Sequence, residues 1–108
     1  MEFLNRVEIK GIVGRVKTHY CTPEKQSVSF NVVTEHQYKE MSGEVSVDTQ
    51  WWTCYAYDNE NALSLQRGDK VHVIGRLRYH RFIEETGVIP MECVNIEILA
   101  SEVEKLED

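Results

Sequence analysis

The sequence lacks the features of a membrane protein, a secreted protein or a disulfide framework. It contains no run of about 20 apolar residues, the length that a membrane-spanning helix requires. The N-terminus, MEFLNRVEIK, carries charges where a signal peptide needs an apolar core, so we expect a cytoplasmic protein. The three cysteines, Cys21, Cys54 and Cys93, are odd in number and form no C-x-x-C pair, which predicts reduced structural thiols.

The sequence also lacks the residue combinations of catalytic and metal sites. His19 and Cys21 form a His-x-Cys pair, but no second pair stands at ligand spacing, so we expect no metal and no cofactor. The histidines fall in four different predicted elements beside no obvious nucleophile: His19, His36, His72 and His80. We therefore predict a binding protein rather than an enzyme.

A net negative charge is missing outside the C-terminal quarter. The net charge is −6, yet residues 1–81 hold 11 Lys or Arg against 10 Asp or Glu. Residues 82–108 hold one basic residue, Lys105, and eight acidic ones. A positive face that attracts a polyanion is therefore possible on the rest of the chain. At this length we expect one domain over residues 1–100 and a short acidic tail, helical or frayed, over residues 101–108.

The most informative segment is Arg67–Phe82, RGDKVHVIGRLRYHRF. It begins with a turn at Gly68 and continues with period-two alternation, which is typical of a strand with one buried and one wet face. The predicted buried set is Val71, Val73, Leu77 and Tyr79, and the predicted wet set is Lys70, His72, Arg76 and Arg78. The wet set runs on through His80 to Phe82, and cations followed by a ring suit a single-stranded nucleic acid. An ordinary solvated sheet face stays open as the alternative.

Four more strands and one helix are predicted around this segment. Leu4–Val16 is the first strand, with a bulge at Gly11 where the apolar parity switches. A loop over Lys17–Gln26, with its turn at Thr22-Pro23-Glu24, leads to a second strand over Ser27–Glu35. Ser42-Gly43 is predicted as the tip of the next hairpin.

The third strand, Thr49–Asp58, reads TQWWTCYAYD and carries aromatic residues on both parities. The even set, which includes Trp52, Cys54 and Ala56, is predicted to face the core. Trp51, Tyr55 and Tyr57 then face outward, and exposed aromatic residues in a row indicate an interaction surface. The alternative is that a subunit interface buries this second face.

The remaining elements complete a barrel. A helix is predicted over Asp58–Gln66, capped by Asp58 and ended by Gly68. A turn at Glu84–Gly87 precedes a fifth strand, Val88–Leu99, which starts near Pro90 and points Val94, Ile96 and Ile98 inward. Five strands with one short helix between the third and the fourth predict an all-β protein, a five-stranded OB-fold barrel.

Several motifs, taken in order, resemble the bacterial single-stranded DNA-binding protein family. They are Asn5-Arg6-Val7, Gly11-x-x-Gly14, Phe30-Asn31-Val32-Val33-Thr34-Glu35, Thr49-Gln50-Trp51 and Arg67-Gly68-Asp69-Lys70-Val71-x-Val73-x-Gly75-Arg76-Leu77-Arg78. The resemblance covers residues 4–99 and implies an OB-fold that binds single-stranded DNA without sequence preference. It also implies a role in DNA replication, recombination or repair.

The resemblance also implies site residues and partners. Bases would stack on Tyr38, Trp51, Tyr57 and Phe82, and phosphates would meet Arg15, Arg76, Arg78 and Arg81. The family implies a homotetramer, with a dimer possible, and contacts with replication or repair proteins. The family usually continues into a long Gly/Pro/Gln-rich linker with an acidic-hydrophobic tip, whereas this chain stops at Glu107-Asp108, so we expect either a truncated chain or a short member of the family. A dimeric barrel like primosomal replication protein N, or a protein-interaction module that uses the aromatic face, are the alternatives.

Overall fold

The computed structural model describes residues 1–22, 25–85 and 87–107. Its elements, in chain order, are β1 (Val7–Thr22), β2 (Lys25–Lys39), β3 (Val45–Tyr57), α1 (Glu60–Leu63), β4 (Lys70–Glu84) and β5 (Met91–Leu106). The strands close into a barrel in the order β1-β2-β3-β5-β4. Neighbouring strands are antiparallel except β3 and β5, which are parallel. This arrangement confirms the predicted OB-fold with its short helix between β3 and β4.

The core is built from the inward parity of each strand. Its fully buried members include Val13, Val28, Val32, Cys54, Val71, Val73 and Ile98. On β3 the even residues from Trp52 to Ala56 point inward, as predicted, whereas Gln50 is exposed. Ala62 and Leu65, in and just after α1, join the same cluster. Each fully buried Val, Leu or Ile side chain contributes about 1.5–3 kcal/mol by burial, so the barrel's stability depends mainly on this parity. No helix within these described residues is long and apolar enough to cross a membrane.

The predicted bulge lies slightly later in the chain than expected. The pairing of β1 with β2 shifts between Val13 and Val16, where Gly14 and Arg15 together oppose the single residue Asn31, so the bulge lies there rather than at Gly11. Val13 is buried while Ile12 is exposed, and the bulge then returns Val16 to the core side. The switch of apolar parity therefore marks the bulge only to within a few residues.

The first loop is shorter than predicted, because β1 and β2 continue to pair as far as Thr22 and Lys25. Residues 17–22 and 25–26 are therefore strand, and Pro23 and Glu24 of the predicted turn lie outside the described residues. The polar side chains of this stretch concealed the strand from the sequence pattern. The tip of the β2–β3 hairpin falls at residues 41–43, as predicted, with the Gly43 N–H donating to the Glu40 carbonyl at 2.9 Å.

The helix is also shorter than predicted, and a different residue caps it. The Asn59 side chain accepts a hydrogen bond from the Ala62 N–H at 3.0 Å, which makes Asn59 the N-cap. Asp58 lies at φ 49° and its Oδ1 accepts instead from the Gln26 N–H at 3.1 Å. The helix ends at Leu63, well before Gly68, which belongs to the turn that leads into β4.

The β4–β5 hairpin extends beyond the barrel, and this overturns part of the predicted core. Leu77, Tyr79, Val94 and Ile96 were expected inward but are exposed, Tyr79 by 69%. The pairing of β1 with β4 ends at Val7 and Gly75, while β4 and β5 pair as far as Glu84 and Met91. The outer part of this hairpin is thus a two-stranded ribbon, and the barrel core does not reach its apolar side chains.

The C-terminal residues are part of the barrel and do not form the predicted tail. Residues 101–106 continue β5, and Glu102–Leu106 pair with Lys70–Ile74 of β4. Val103 is only 4% exposed and belongs to the core cluster. Val103 faces the core between the exposed Glu102 and Glu104, so the expectation of a helical or frayed segment is wrong.

Candidate nucleic-acid interface

The outward face of β3 forms the centre of the candidate site. Its residues share one parity and were predicted to face outward: Trp51, Tyr55 and Tyr57. Cross-strand register places Asn31 of β2 and Glu97 of β5 on either side of Thr53, and Glu97 in turn is opposite Arg78 of β4. A single outer surface therefore crosses four strands. We call it the aromatic face and use the name for the outer side of β3 with these neighbours.

Trp51 marks one end of the aromatic face. Its ring is 57% exposed and borders a shallow depression of about 470 Å³. The depression is lined by Gly14, Arg15, Val16, Asn31, Trp51 and Arg67. The Asn31 Oδ1 accepts a hydrogen bond from the Arg15 N–H at 2.5 Å, which fixes the bulge of β1 beside the ring. An exposed indole with two guanidinium groups nearby can accept a base and its phosphates together.

Arg67 was missing from the predicted site. The sequence placed it in a turn, and a lone arginine in a turn gives no period-two signal by which to assign it to a face. The turn brings it to the Trp51 depression because the Gly68 N–H donates to the Val13 carbonyl at 2.8 Å and the Val13 N–H donates to the Asp69 carbonyl at 2.8 Å. These two bonds tie the segment that leads into β4 against β1.

A second, smaller depression of about 170 Å³ continues along the aromatic face. It shares Arg15 and Asn31 with the first and adds Ser29, Phe30, Thr53 and Tyr55. The Ser29 hydroxyl also lies 3.0 Å from Nε2 of His19. Arg15 therefore lines both depressions, and its guanidinium is within reach of a ligand bound in either of them.

Arg78 lies beside Tyr55 and is paired with an acidic residue. Its Nη2 donates to Oε1 of Glu97 at 3.1 Å, and its guanidinium carbon lies 5.8 Å from the centre of the Tyr55 ring. Burial alone would lower the pKa of Arg78, but Glu97 and the Tyr57 hydroxyl outweigh it and raise that pKa. Burial, then the charge and hydrogen bonding of Glu97, raise the pKa of Tyr55. Both groups keep their protons at neutral pH.

The far end of the aromatic face is a groove of about 720 Å³. Its polar lining includes Asn5, Arg6, Tyr57, Arg76, Arg78 and Ser101. The Asn5 side chain bridges the backbone of Leu77, donating to its carbonyl and accepting from its N–H, both at 2.9 Å. This clamp holds Arg6 at the groove, and Arg6 is a second cation that the sequence pattern missed.

The structure does not gather every predicted site residue on this face. Tyr38 lies opposite Ser46, far along the β2–β3 hairpin, and has the parity of buried Phe30 rather than that of Trp51. Phe82 lies on the β4–β5 hairpin with the parity of Arg78, and its ring stacks on His80 with centroids 6.0 Å apart. Both rings are exposed, and each lies on a hairpin beyond the strand pairs that close the barrel.

Arg81 is separated from Phe82 by the parity of the strand. It points to the other side of the hairpin, where its Nη1 lies 3.9 Å from Oε1 of Glu92. The aromatic face therefore unites Arg15, Trp51, Tyr57, Arg76 and Arg78, and adds Arg6 and Arg67. Arg81 lies on the opposite surface.

Comparison with known proteins decides the family. The model of the single-strand binding protein family matches residues 4–106. The chain belongs to the single-strand binding protein family. A search of the curated proteins finds no match.

Solved structures agree on the fold. A single-stranded DNA-binding protein from Plasmodium falciparum, in complex with single-stranded DNA, is 21% identical with a TM-score of 0.80, covering 99% of this chain and 98% of that one. A small single-stranded DNA-binding protein from Streptomyces coelicolor is 19% identical with a TM-score of 0.71, covering 95% of each chain.

A third neighbour is a longer chain. A deletion mutant of the single-stranded DNA-binding protein from Thermus aquaticus is 18% identical with a TM-score of 0.77. The match covers 96% of this chain but 51% of that one. At these identities the three structures establish the OB-fold.

Proposed function

We propose that this protein binds single-stranded DNA without sequence preference, by stacking bases on exposed aromatic rings and pairing phosphates with arginines. The observation that carries the proposal is the exposed ring of Trp51, which lines one depression together with Arg15 and Arg67 in a chain of the single-strand binding protein family. The membership favours this function over the interaction-module and primosomal alternatives. It also supports a binding role rather than catalysis.

Stacking selects single strands because the faces of the bases are free there and covered in a duplex. Each base stacked on an aromatic ring contributes about 1–3 kcal/mol, and every base has such a face, so the selection ignores sequence. Trp51, Tyr57, Phe82 and Tyr38 would together give roughly 4–12 kcal/mol before the strand is ordered. A micromolar complex needs about 8 kcal/mol, so several copies that share one strand would bind more tightly.

We propose that the protein assembles as a homotetramer, with a dimer as the smaller alternative. In the described part of the chain, β1 pairs with β2 only from Ile12 onward, while Val7–Lys10 pair with β4 alone. That leaves one edge of β1 available to a strand from another copy. A role in replication, recombination or repair in the cytoplasm, with contacts to proteins of those processes, is part of the same proposal.

Fluorescence titration with oligo(dT) tests the proposal. The chain has two tryptophans, Trp51 and Trp52, and the half-buried Trp52 donates from Nε1 to the Thr34 hydroxyl at 2.8 Å. Trp52→Phe therefore gives a background in which the signal reports Trp51 alone. We expect strong quenching by oligo(dT), weakened by salt, and none by a duplex of equal length.

The oligomeric state is measured on the same samples. Trp51→Ala should weaken oligo(dT) binding by about 10-fold while the elution volume in size-exclusion chromatography stays unchanged. If Trp51→Ala dissociates the assembly and oligo(dT) causes no quenching in the Trp52→Phe background, the aromatic face is a subunit interface and the proposal is wrong.

A further inference from the structure

The outer side of β1 is carried by different residues before and after the bulge. Before it the even positions point outward, as the exposed Lys10 does, while Val13 and the odd positions face the core. After it Val16 packs against the core instead. A bulge re-aims the side chains that follow it, so the odd positions now point outward. Two of them are exposed cations, Arg15 and Lys17.

These two cations have uncharged polar neighbours on β2. The Arg15 N–H donates to Oδ1 of Asn31 at 2.5 Å, which fixes the backbone of the bulge and leaves the guanidinium outside it. Lys17 is directly opposite Ser29. The Ser29 hydroxyl lies 3.0 Å from Nε2 of His19, the next outward residue of β1. This part of the outer surface therefore combines positive charge with neutral polar groups.

No acidic side chain neutralises the two cations within the described residues. Neither Arg15 nor Lys17 belongs to an ion pair there. The surface before the bulge is different, because His72 of β4 lies 2.5 Å from Glu8 and 3.8 Å from Glu104. A polyanion on the barrel is therefore attracted to the side of β1 that follows the bulge and not to the side that precedes it.

The spacing of the two cations suits a nucleic-acid backbone. Residues two positions apart on a strand are separated by about 6.7 Å. That distance is close to the separation of successive phosphates in an extended single strand. Arg15 lines the Trp51 depression, and Ser29, opposite Lys17, lines the smaller depression beside it. A strand with one base on Trp51 can therefore continue along β1 and place its next phosphate at Lys17.

We propose that the outer side of β1 after the bulge is a phosphate track, on which Arg15 and Lys17 bind successive phosphates of one DNA single strand. This inference rests on the proposed single-stranded DNA binding. It adds Lys17 to the binding site and extends the path of the strand from Trp51 along β1, away from the acidic surface around His72.

Lys17→Gln tests the track through the salt dependence of binding. Lys17 is exposed, so folding is not in question. Each phosphate contact to a single strand contributes about 0.7 to the slope of log K against log salt, so we expect the slope to fall by about 0.7. In the Trp52→Phe background, quenching of Trp51 at saturation should stay unchanged, because the stacked base is not disturbed.

Lys10→Gln is the matched control. It makes the same chemical change on the same strand, at an exposed position before the bulge. We expect this variant to bind oligo(dT) with the slope of the unaltered protein. Size-exclusion chromatography of both variants checks that the elution volume, and thus the assembly, is the same.

Lysine acetylation gives a second readout that needs no variant. The unaltered protein is treated with N-hydroxysuccinimidyl acetate, with and without saturating oligo(dT), and peptide mass spectrometry follows each lysine. We expect oligo(dT) to abolish the labelling of Lys17, because its ammonium is covered by a phosphate, and to leave the labelling rate of Lys10 unchanged.

The possible results separate the track from the function on which it rests. An unchanged slope in Lys17→Gln, equal changes of slope in the two lysine variants, or acetylation of Lys17 at the same rate with and without oligo(dT) would each overturn the track. If the unaltered protein shows no quenching with oligo(dT), the proposed function itself fails, and the titration of that protein alone reveals it.

Discussion

Gly14 lies against the Cζ3 and Cη2 atoms of the indole ring of Trp51. A Cβ atom built on Gly14 would stand 2.6 Å from Cζ3 of that ring and 2.6 Å from Oδ1 of Asn31. Both distances are shorter than real Cβ contacts, so no side chain fits without moving Trp51 or breaking the bond between Asn31 and the Arg15 N–H. The Trp51 ring therefore packs against the backbone of Gly14, at the bulge of β1.

Gly14→Ala should accordingly weaken DNA binding more than it weakens the fold. The added methyl group displaces the ring of Trp51, so we expect oligo(dT) affinity to fall about 5- to 10-fold, the effect of misplacing one stacking ring. Affinity is measured by fluorescence titration in the Trp52→Phe background, where a shift of the emission maximum reports displacement of the Trp51 ring. Gly87→Ala is the matched control, because a Cβ at Gly87 meets nothing within 4 Å. Equal affinity for the two variants would refute the role of Gly14.

The barrel was predictable from the sequence because successive side chains of a strand point alternately into the core and out to solvent. The alternation of Trp51 with Trp52 and of Tyr55 with Cys54 correctly predicted which side chains of β3 form the aromatic face. Parity fails where a strand leaves the barrel, since Tyr79 and Ile96 keep the pattern of buried residues on an exposed hairpin.

The parts of the site that could not be predicted depend on contacts between distant segments. Glu97 is 19 positions from Arg78 in the chain. The local sequence pattern therefore does not predict that a glutamate in β5 is buried against an arginine in β4. Arg67 and Arg6 reach the site through a turn and a side-chain clamp, which leave no periodic signal. The acidic composition of residues 101–106 similarly concealed a strand whose buried face is carried by Val103.

Salt dependence should distinguish arginines of the aromatic face from the arginine behind the hairpin. Arg15→Gln and Arg67→Gln should each reduce the slope of log K against log salt by about 0.7, because both side chains line the Trp51 depression. Arg81→Gln is the control, because Arg81 is paired with Glu92 on the opposite surface. We expect this variant to bind with the slope of the unaltered protein. The prediction is contradicted if Arg81→Gln lowers the slope as much as the other two.

Truncating Val103 should destabilise the whole barrel. Val103→Ala removes two methyl groups from a side chain that is 4% exposed, so we expect the free energy of unfolding to fall by about 2 kcal/mol. Val88→Ala is the same chemical change at a fully exposed position and should have almost no effect. Urea unfolding followed by tryptophan fluorescence measures both. A negligible loss in Val103→Ala would mean that the end of β5 does not support the core.

Cys54 and Cys93 should differ in their reactivity toward alkylating reagents. Burial raises the pKa of Cys54 to about 12, so almost none of it is thiolate at pH 8 and iodoacetamide should label it only after unfolding. The pKa of Cys93 is raised more modestly, first by partial burial and then by its hydrogen bond to Glu84 and the charge of that residue. Cys93 should therefore label in the folded protein, but more slowly than an unperturbed thiol.

Glu84→Gln sharpens this prediction. Without the negative charge the pKa of Cys93 falls toward its ordinary value, the thiolate fraction at pH 8 rises, and labelling of Cys93 should accelerate about 2- to 3-fold. Peptide mass spectrometry in a Cys21→Ser background follows each thiol separately. Cys54 lies opposite Phe30 within the core and should stay unlabelled in both proteins, because Glu84 lies in the β4–β5 hairpin beyond the barrel. Labelling of Cys54 at the rate of Cys93 in the folded state would show that the barrel opens on the timescale of the reaction.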